Sequence, residues 1–243
     1  MRLAPSLLLA LFLLHVPVPA SAFSDADLID GFMRTVFGSE FRVKDWSATI
    51  VKKFDGPVRV YIDDRSRTRR GPEVAAFVRT LPGLIDGLDM TVVSEATRAN
   101  YRVLVLDRAD YRRVVSREIF GQAGSTHVLG KCFVRSVVPR GAGIRRSDAA
   151  IVADDGEFLF RRCMVEEVLQ GLGPTHDDPS LKESVFNDSS QHATFTSFDR
   201  HILNMLYHPS IRPGMDAEEA ARILPAVAAQ VRGRLEGQAA TLP

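Results

Sequence analysis

CMVEEVLQGLGPTHD, residues 163–177, is the stretch on which the fold reading turns. At 100° per residue, Met164, Val168 and Leu172 fall on one stripe of a helix and face the core. Cys163, Glu166 or Glu167, and Gln170 fall on another, so a sulfur, paired acids and an amide share one face. Gly171 or Gly173 ends the helix, and Pro174 stops it. Taken alone, Glu-Glu-x-x-Gln on an amphipathic helix also reads as a plain solvated face.

Working outward, the chain before this helix alternates strands and helices. Ser24-Asp25-Ala26-Asp27 caps a helix through Phe37, with Leu28, Phe32, Val36 and Phe37 near helical spacing. Residues 57–62 read as a strand ending in Asp63-Asp64. The basic loop 65–70 reads as a solvated turn with those two acids as counterions; contact with an anionic glycan or phosphate is the alternative. A helix from Pro72 to Ile85, strands 90–94 and 101–106, a short helix near 111–119 capped by Asp107 or Asp110, and strands 132–138 and 148–153 follow. After the 163–177 helix come only helices: Ser197–Leu206 behind Thr196 and Asp199, and a third behind the Asp216/Glu219 capping box. A loop of more than twenty residues, 173–196, separates the first two, a length that often signals function or disorder. Mixed strands and helices followed by helices alone predict one α+β domain.

Outward again, residues 1–22 (MRLAPSLLLALFLLHVPVPASA) carry Arg2, a short apolar run, Pro17 and Pro19, and a small-x-small ending. This is a secretory signal peptide, too short for a membrane span, which needs about 18 or more apolar residues; a retained N-terminal anchor is the alternative. No other stretch approaches spanning length. Cleavage near Ala22-Phe23 leaves 221 residues carrying 30 basic and 30 acidic side chains, so formal charge is zero and a nucleic-acid partner is excluded. Export to the periplasm or beyond implies an oxidising compartment. The two cysteines, Cys132 and Cys163, are then expected to form a structural disulfide, and two buried thiols are the alternative.

The helix can be set against the zincin peptidases, whose HExxHxxGxxH places two zinc-binding His on one helix face and a general-base Glu beside the first. Here the register reads Glu166-Glu167-x-x-Gln170-x-x-Gly173-x-x-His176. Glu167 matches the base, Gly173 the turn, and His176 the third ligand. Glu166 and Gln170 stand where the two helix His would be. A Glu166/Gln170/His176 set would hold a divalent metal loosely and suit a harder ion than zinc.

Further on come Ser184-Val185-Phe186-Asn187-Asp188, then Phe198-Asp199, then Leu206-Tyr207-His208-Pro209-Ser210-Ile211-Arg212-Pro213-Gly214-Met215. With EExxQxxG, these segments resemble DUF2927, a family of exported proteobacterial proteins of unknown function. The likeness is strong over 132–215 and weak over 23–131. It implies 1–22 as signal peptide and 23–243 as a single DUF2927-like domain. The expected fold is a zincin-like α+β domain, a small mixed sheet with C-terminal helices. The Met215 turn invites comparison with the methionine turn beneath the metal of some zincins, though a buried Met at a turn is more often core filling.

Other chemistries lack their motifs. No GxSxG elbow, Walker loop or GxGxxG is present, and no two His lie at i and i+4 on a helix. No cofactor is predicted, a divalent metal being the sole alternative. Two functions remain open. One is a non-catalytic periplasmic binding or scaffold protein whose partner is a cell-envelope component or peptide. The other is a metal-dependent hydrolase of envelope peptides, with Glu167 as catalytic base and Glu166, Gln170 and His176 at the metal.

Overall fold

The computed structural model describes residues 23–38, 46–121 and 130–240. The signal-peptide reading of 1–22 lies outside them. Five strands form one mixed sheet: β1 (Val58–Asp64), β2 (Met90–Val92), β3 (Tyr101–Leu106), β4 (Cys132–Val137) and β5 (Arg146–Val152). Their order is β2-β1-β3-β5-β4. β1 runs parallel to β2 and β3, and β3 parallel to β5, while β4 pairs antiparallel with β5 at one edge.

Among the described residues six α-helices accompany the sheet: α1 (Asp25–Val36), α2 (Gly71–Leu84), α3 (Arg108–Val114), α4 (Glu157–Gln170), α5 (Ser197–Leu206) and α6 (Ala217–Ala240). The C-terminal parts of β3 and β5, residues 103–106 and 149–152, are continuous apolar runs because both faces are covered there. Val103, Val105, Ala149 and Ile151 join the large core beneath α1, α2, α4, α5 and α6. Their neighbours Leu104, Leu106, Ala150 and Val152 point the other way, into a smaller core with Tyr111, Val114 and Phe133. The mixed sheet with helices closing the chain is the architecture the sequence predicts.

Local chemistry explains the helix starts. Ser24 and Asp27 form a reciprocal capping box on α1, and Asp216 and Glu219 do the same before α6. Asp107 occupies the N-cap position of α3 but does not cap it. Its carboxylate instead accepts the backbone N–H and Nε–H of Arg67. The basic loop is held by acids from several elements: Arg65 by Asp63 and Glu118, Arg67 by Asp107, and Arg70 by Glu73 and Glu157. Asp64 is not a counterion there; it accepts from Ser66 and from the N–H of Gly71 at the start of α2.

Candidate functional site

α4 follows β5, packs against β4 and β5, and is buried on every side from Phe160 through Gln170 except at Arg161. Met164, Val168 and Leu172 face the core as their spacing requires. The polar face is not solvated. Glu166, Glu167 and Gln170 are 4%, 5% and 2% exposed, because the long segment between α4 and α5 folds over them. Cys163 bridges to Cys132, with Cα atoms 5.6 Å apart, and fastens α4 to the edge strand β4.

The C-terminal end of α4 would leave carbonyls unsatisfied in a dry interior. Three hydroxyls from other elements meet them. Tyr101 of β3 donates to Glu167 O at 2.8 Å and also lies 3.1 Å from Val168 O. Ser147 of β5 donates to Gly171 O at 2.7 Å, and Tyr207 to Leu172 O at 3.0 Å. Burial pushes both phenols above their ordinary titration range, which keeps them as donors. Gly171 is required by this arrangement, since a Cβ there would lie 2.0 Å from the Tyr101 hydroxyl.

Past Gly173 the chain turns back along the helix. Asp199 of α5 organises it, accepting from the Ser184 hydroxyl at 2.5 Å and the Val185 N–H at 3.0 Å. Asn187 then donates to Leu181 O at 3.1 Å. These bonds set Asn187 and Asp188 over Arg162 of α4. The Arg162 guanidinium reaches Glu166 Oε1 at 3.2 Å, Asn187 O at 3.1 Å, Ser190 O at 2.8 Å and Asp188 Oδ1 at 3.5 Å. On the next turn, Gln170 Nε2 donates to Asp177 Oδ1 at 2.8 Å.

Among the described residues, two groups of potential ligand atoms lie within 4.8 Å of one another: Cys132 with Glu166 and Glu167, and Glu166 with Asp177 and Asp188. The structure therefore brings Glu166, Glu167 and Gln170 together on one face. His176 belongs to neither group. Its backbone N–H bonds Thr35 O at 3.1 Å, and its Nδ1 lies 2.7 Å from Arg34 O, so it docks on the end of α1. Arg162, Asp177 and Asp188 complete the cluster. The sequence offered a partial signal for them, in the 184–188 segment and the acid beside His176.

Asp177 carries the clearest electrostatic mark. Burial raises its carboxyl from 3.8 to about 6, the nearby Asp188 charge adds to this, and Gln170, Arg162 and His176 oppose it. The folded chain thus binds this proton more tightly than the unfolded chain does. The stabilisation is complete below the unfolded value and is lost as pH rises through about 6. Asp177→Asn keeps the acceptor for Gln170 and removes the charge. It is expected to stabilise the protein by about 1–3 kcal/mol at pH 8 and by less at pH 4.5, as read from urea unfolding.

Among the described residues no helix is long and apolar enough to cross a membrane. No curated protein matches the chain. Residues 25–226 match the model of a family described as protein of unknown function, DUF2927, and over that span, most of its length, the chain belongs to the DUF2927 family.

Proposed function

We propose that this chain is exported to the cell envelope and acts there as a non-catalytic binding or scaffold protein on a zincin-like frame. The observation that carries this reading is Arg162. Its guanidinium is 8% exposed on the polar face of α4, ion-paired to Glu166 and within reach of Asp188. A fixed cation of the protein's own stands where a metal would have to neutralise those carboxylates.

The donor set does not fit zinc. Both sulfurs are spent in the disulfide, the Gln170 amide donates to Asp177, and His176 bonds the end of α1. An amide and carboxylates are poor substitutes for imidazole and thiolate. The frame itself supports the likeness. Met215 O accepts from Val51 N at 2.7 Å, the neighbouring Lys52 O lies against Gly173, and Tyr207 bonds Leu172 O just past the end of α4. The methionine turn is thus linked to the glycine turn after α4 through Val51 and Lys52. The half-buried Asp177 and the exposed Asp188 leave negative charge at the mouth of the cluster, which suits a basic group of an envelope peptide or component.

Export is supported by the leader pattern of 1–22 and by the disulfide. The test is elemental analysis of the mature protein purified without chelator. Substoichiometric metal is expected; one zinc per chain would overturn the reading. The second reading, a metal-dependent hydrolase, is favoured by the burial of Glu167 beside Glu166. It requires Glu167→Gln to abolish peptide turnover while leaving the melting temperature unchanged.

A further inference from the structure

Phe23 begins the described chain, and its surroundings are unusually polar for a core contact. Its ring packs edge-on against Phe198, with centroids 5.1 Å apart, and against the His201 imidazole at 6.1 Å. His201 is 6% exposed. Its Nδ1 lies 2.7 Å from Ser197 O, so Nδ1 carries the proton and Nε2 is left as an acceptor. That Nε2 is buried and has no hydrogen-bond partner. Burial lowers the His201 pKa, consistent with a neutral ring.

A second buried atom in the same region, Oε1 of Glu236 on α6, also accepts no hydrogen bond. Its nearest cation is Arg232 at 3.5 Å, and Arg232 is already shared with Asp25 at 2.7 Å. The charged groups that act on His201, the ring against which Phe23 packs, are Arg200 on its own helix α5 and Glu236 and Arg232 from α6, and Arg232 also pairs with Asp25 of α1. Arg200 is engaged by Leu84 O and Gln238. Between α1 and α6, two carboxylates share one guanidinium, leaving one negative charge in excess. Two buried acceptors without donors are costly in a native structure and ask for an explanation.

We propose that this is a receptor for the α-ammonium of Phe23 that leader removal creates, with His201 Nε2 and Glu236 Oε1 as its acceptors. The inference rests on the export reading above. Hydrolysis of the Ala22–Phe23 amide by a leader-removing endopeptidase consumes one water. It leaves a carboxylate on Ala22 and an amine on Phe23, which is protonated near neutral pH. The ammonium brings three donors and one positive charge to two buried acceptors that no neighbouring donor hydrogen-bonds. It also lies just before α1, whose positive end would repel it were Asp25 and Asp27 not in the first turn. Processing at this bond therefore completes the packing of α1 on α5 and α6.

The test has two arms. Mass spectrometry of the exported protein should give Phe23 as the first residue. Chains beginning at Phe23 and at Ala22 are then melted side by side. The Phe23 chain should have a melting temperature about 2–4 °C higher at pH 7. The gap should close above pH 10, where the amine is neutral, and in the Glu236→Gln background. Export with a first residue other than Phe23, or equal melting of the two chains, would overturn the receptor while leaving export intact. A precursor that stays unprocessed in the cytoplasm would overturn both.

Discussion

Gly173→Ala is expected to cost at least about 4 kcal/mol, enough to unfold most of the protein at 37 °C. Two independent effects converge. Gly173 has φ +144°, a backbone region closed to residues with a side chain. A Cβ at that position would also lie 2.0 Å from Lys52 O and 2.9 Å from Leu206 Cδ2. The first of these is backbone, so no rotamer change relieves it. Lys52 is itself anchored, with its Nζ 3.1 Å from Gly38 O. The exposed Gly83→Ala, inside α2 with nothing within 4 Å, is the matched control and should be neutral or slightly stabilising. Circular dichroism and a thermal melt of both variants check the pair. A Gly173→Ala protein that melts within 2 °C of the parent would mean that the turn has an alternative packing.

Reducing the Cys132–Cys163 bond is expected to cost about 3–4 kcal/mol by the chain-entropy account for a separation of 31 residues. For a chain of this size that corresponds to a fall in melting temperature of roughly 10 °C. The effect should be local in character. Cys163 is fully buried beside Glu166 and Glu167 while Cys132 is partly exposed on the edge strand, so opening the bond frees β4 from α4. Amide exchange should rise first along β4 and only later in β3, which is paired on both sides. Equal acceleration in β3 and β4 would argue against that order.

The strands and helices were legible because their periodicity records which faces are covered. Residues 103–106 are apolar at both parities since cores lie on both sides of the sheet, while Arg102 before them faces Glu118 and Asp148. The cysteine pairing was legible too, from an even count behind a leader-like pattern.

The burial of α4 was not legible, and the reason is physical. Arg161 and Arg162 are adjacent and chemically identical, yet Arg161 is 55% exposed and pairs with Glu157 while Arg162 is 8% exposed within the cluster. A rotation of 100° about the helix and the path of a loop 25 to 28 residues away decide between them. The same holds for His176 and Asp177. Neighbours in non-helical chain point to different sides, so the residue that Gln170 meets depends on the turn at Gly173, whose geometry no local pattern encodes. The covering segment is placed by Ser184, Val185 and Thr196 on Asp199, whose burial raises its carboxyl. That is a long-range assembly, and sequence spacing shows only its parts.

The three hydroxyls that close α4 come from two different strands and from the end of α5. A peg at each of three bearings leaves the rod no freedom to roll about its own axis. The azimuth of its outward side chains is therefore set by the scaffold as well as by the bonds those side chains make. Swapping an imidazole for a carboxylate or an amide along that rod would alter the reactivity on display while the mounting stayed put, which is how one architecture can change trades without being rebuilt.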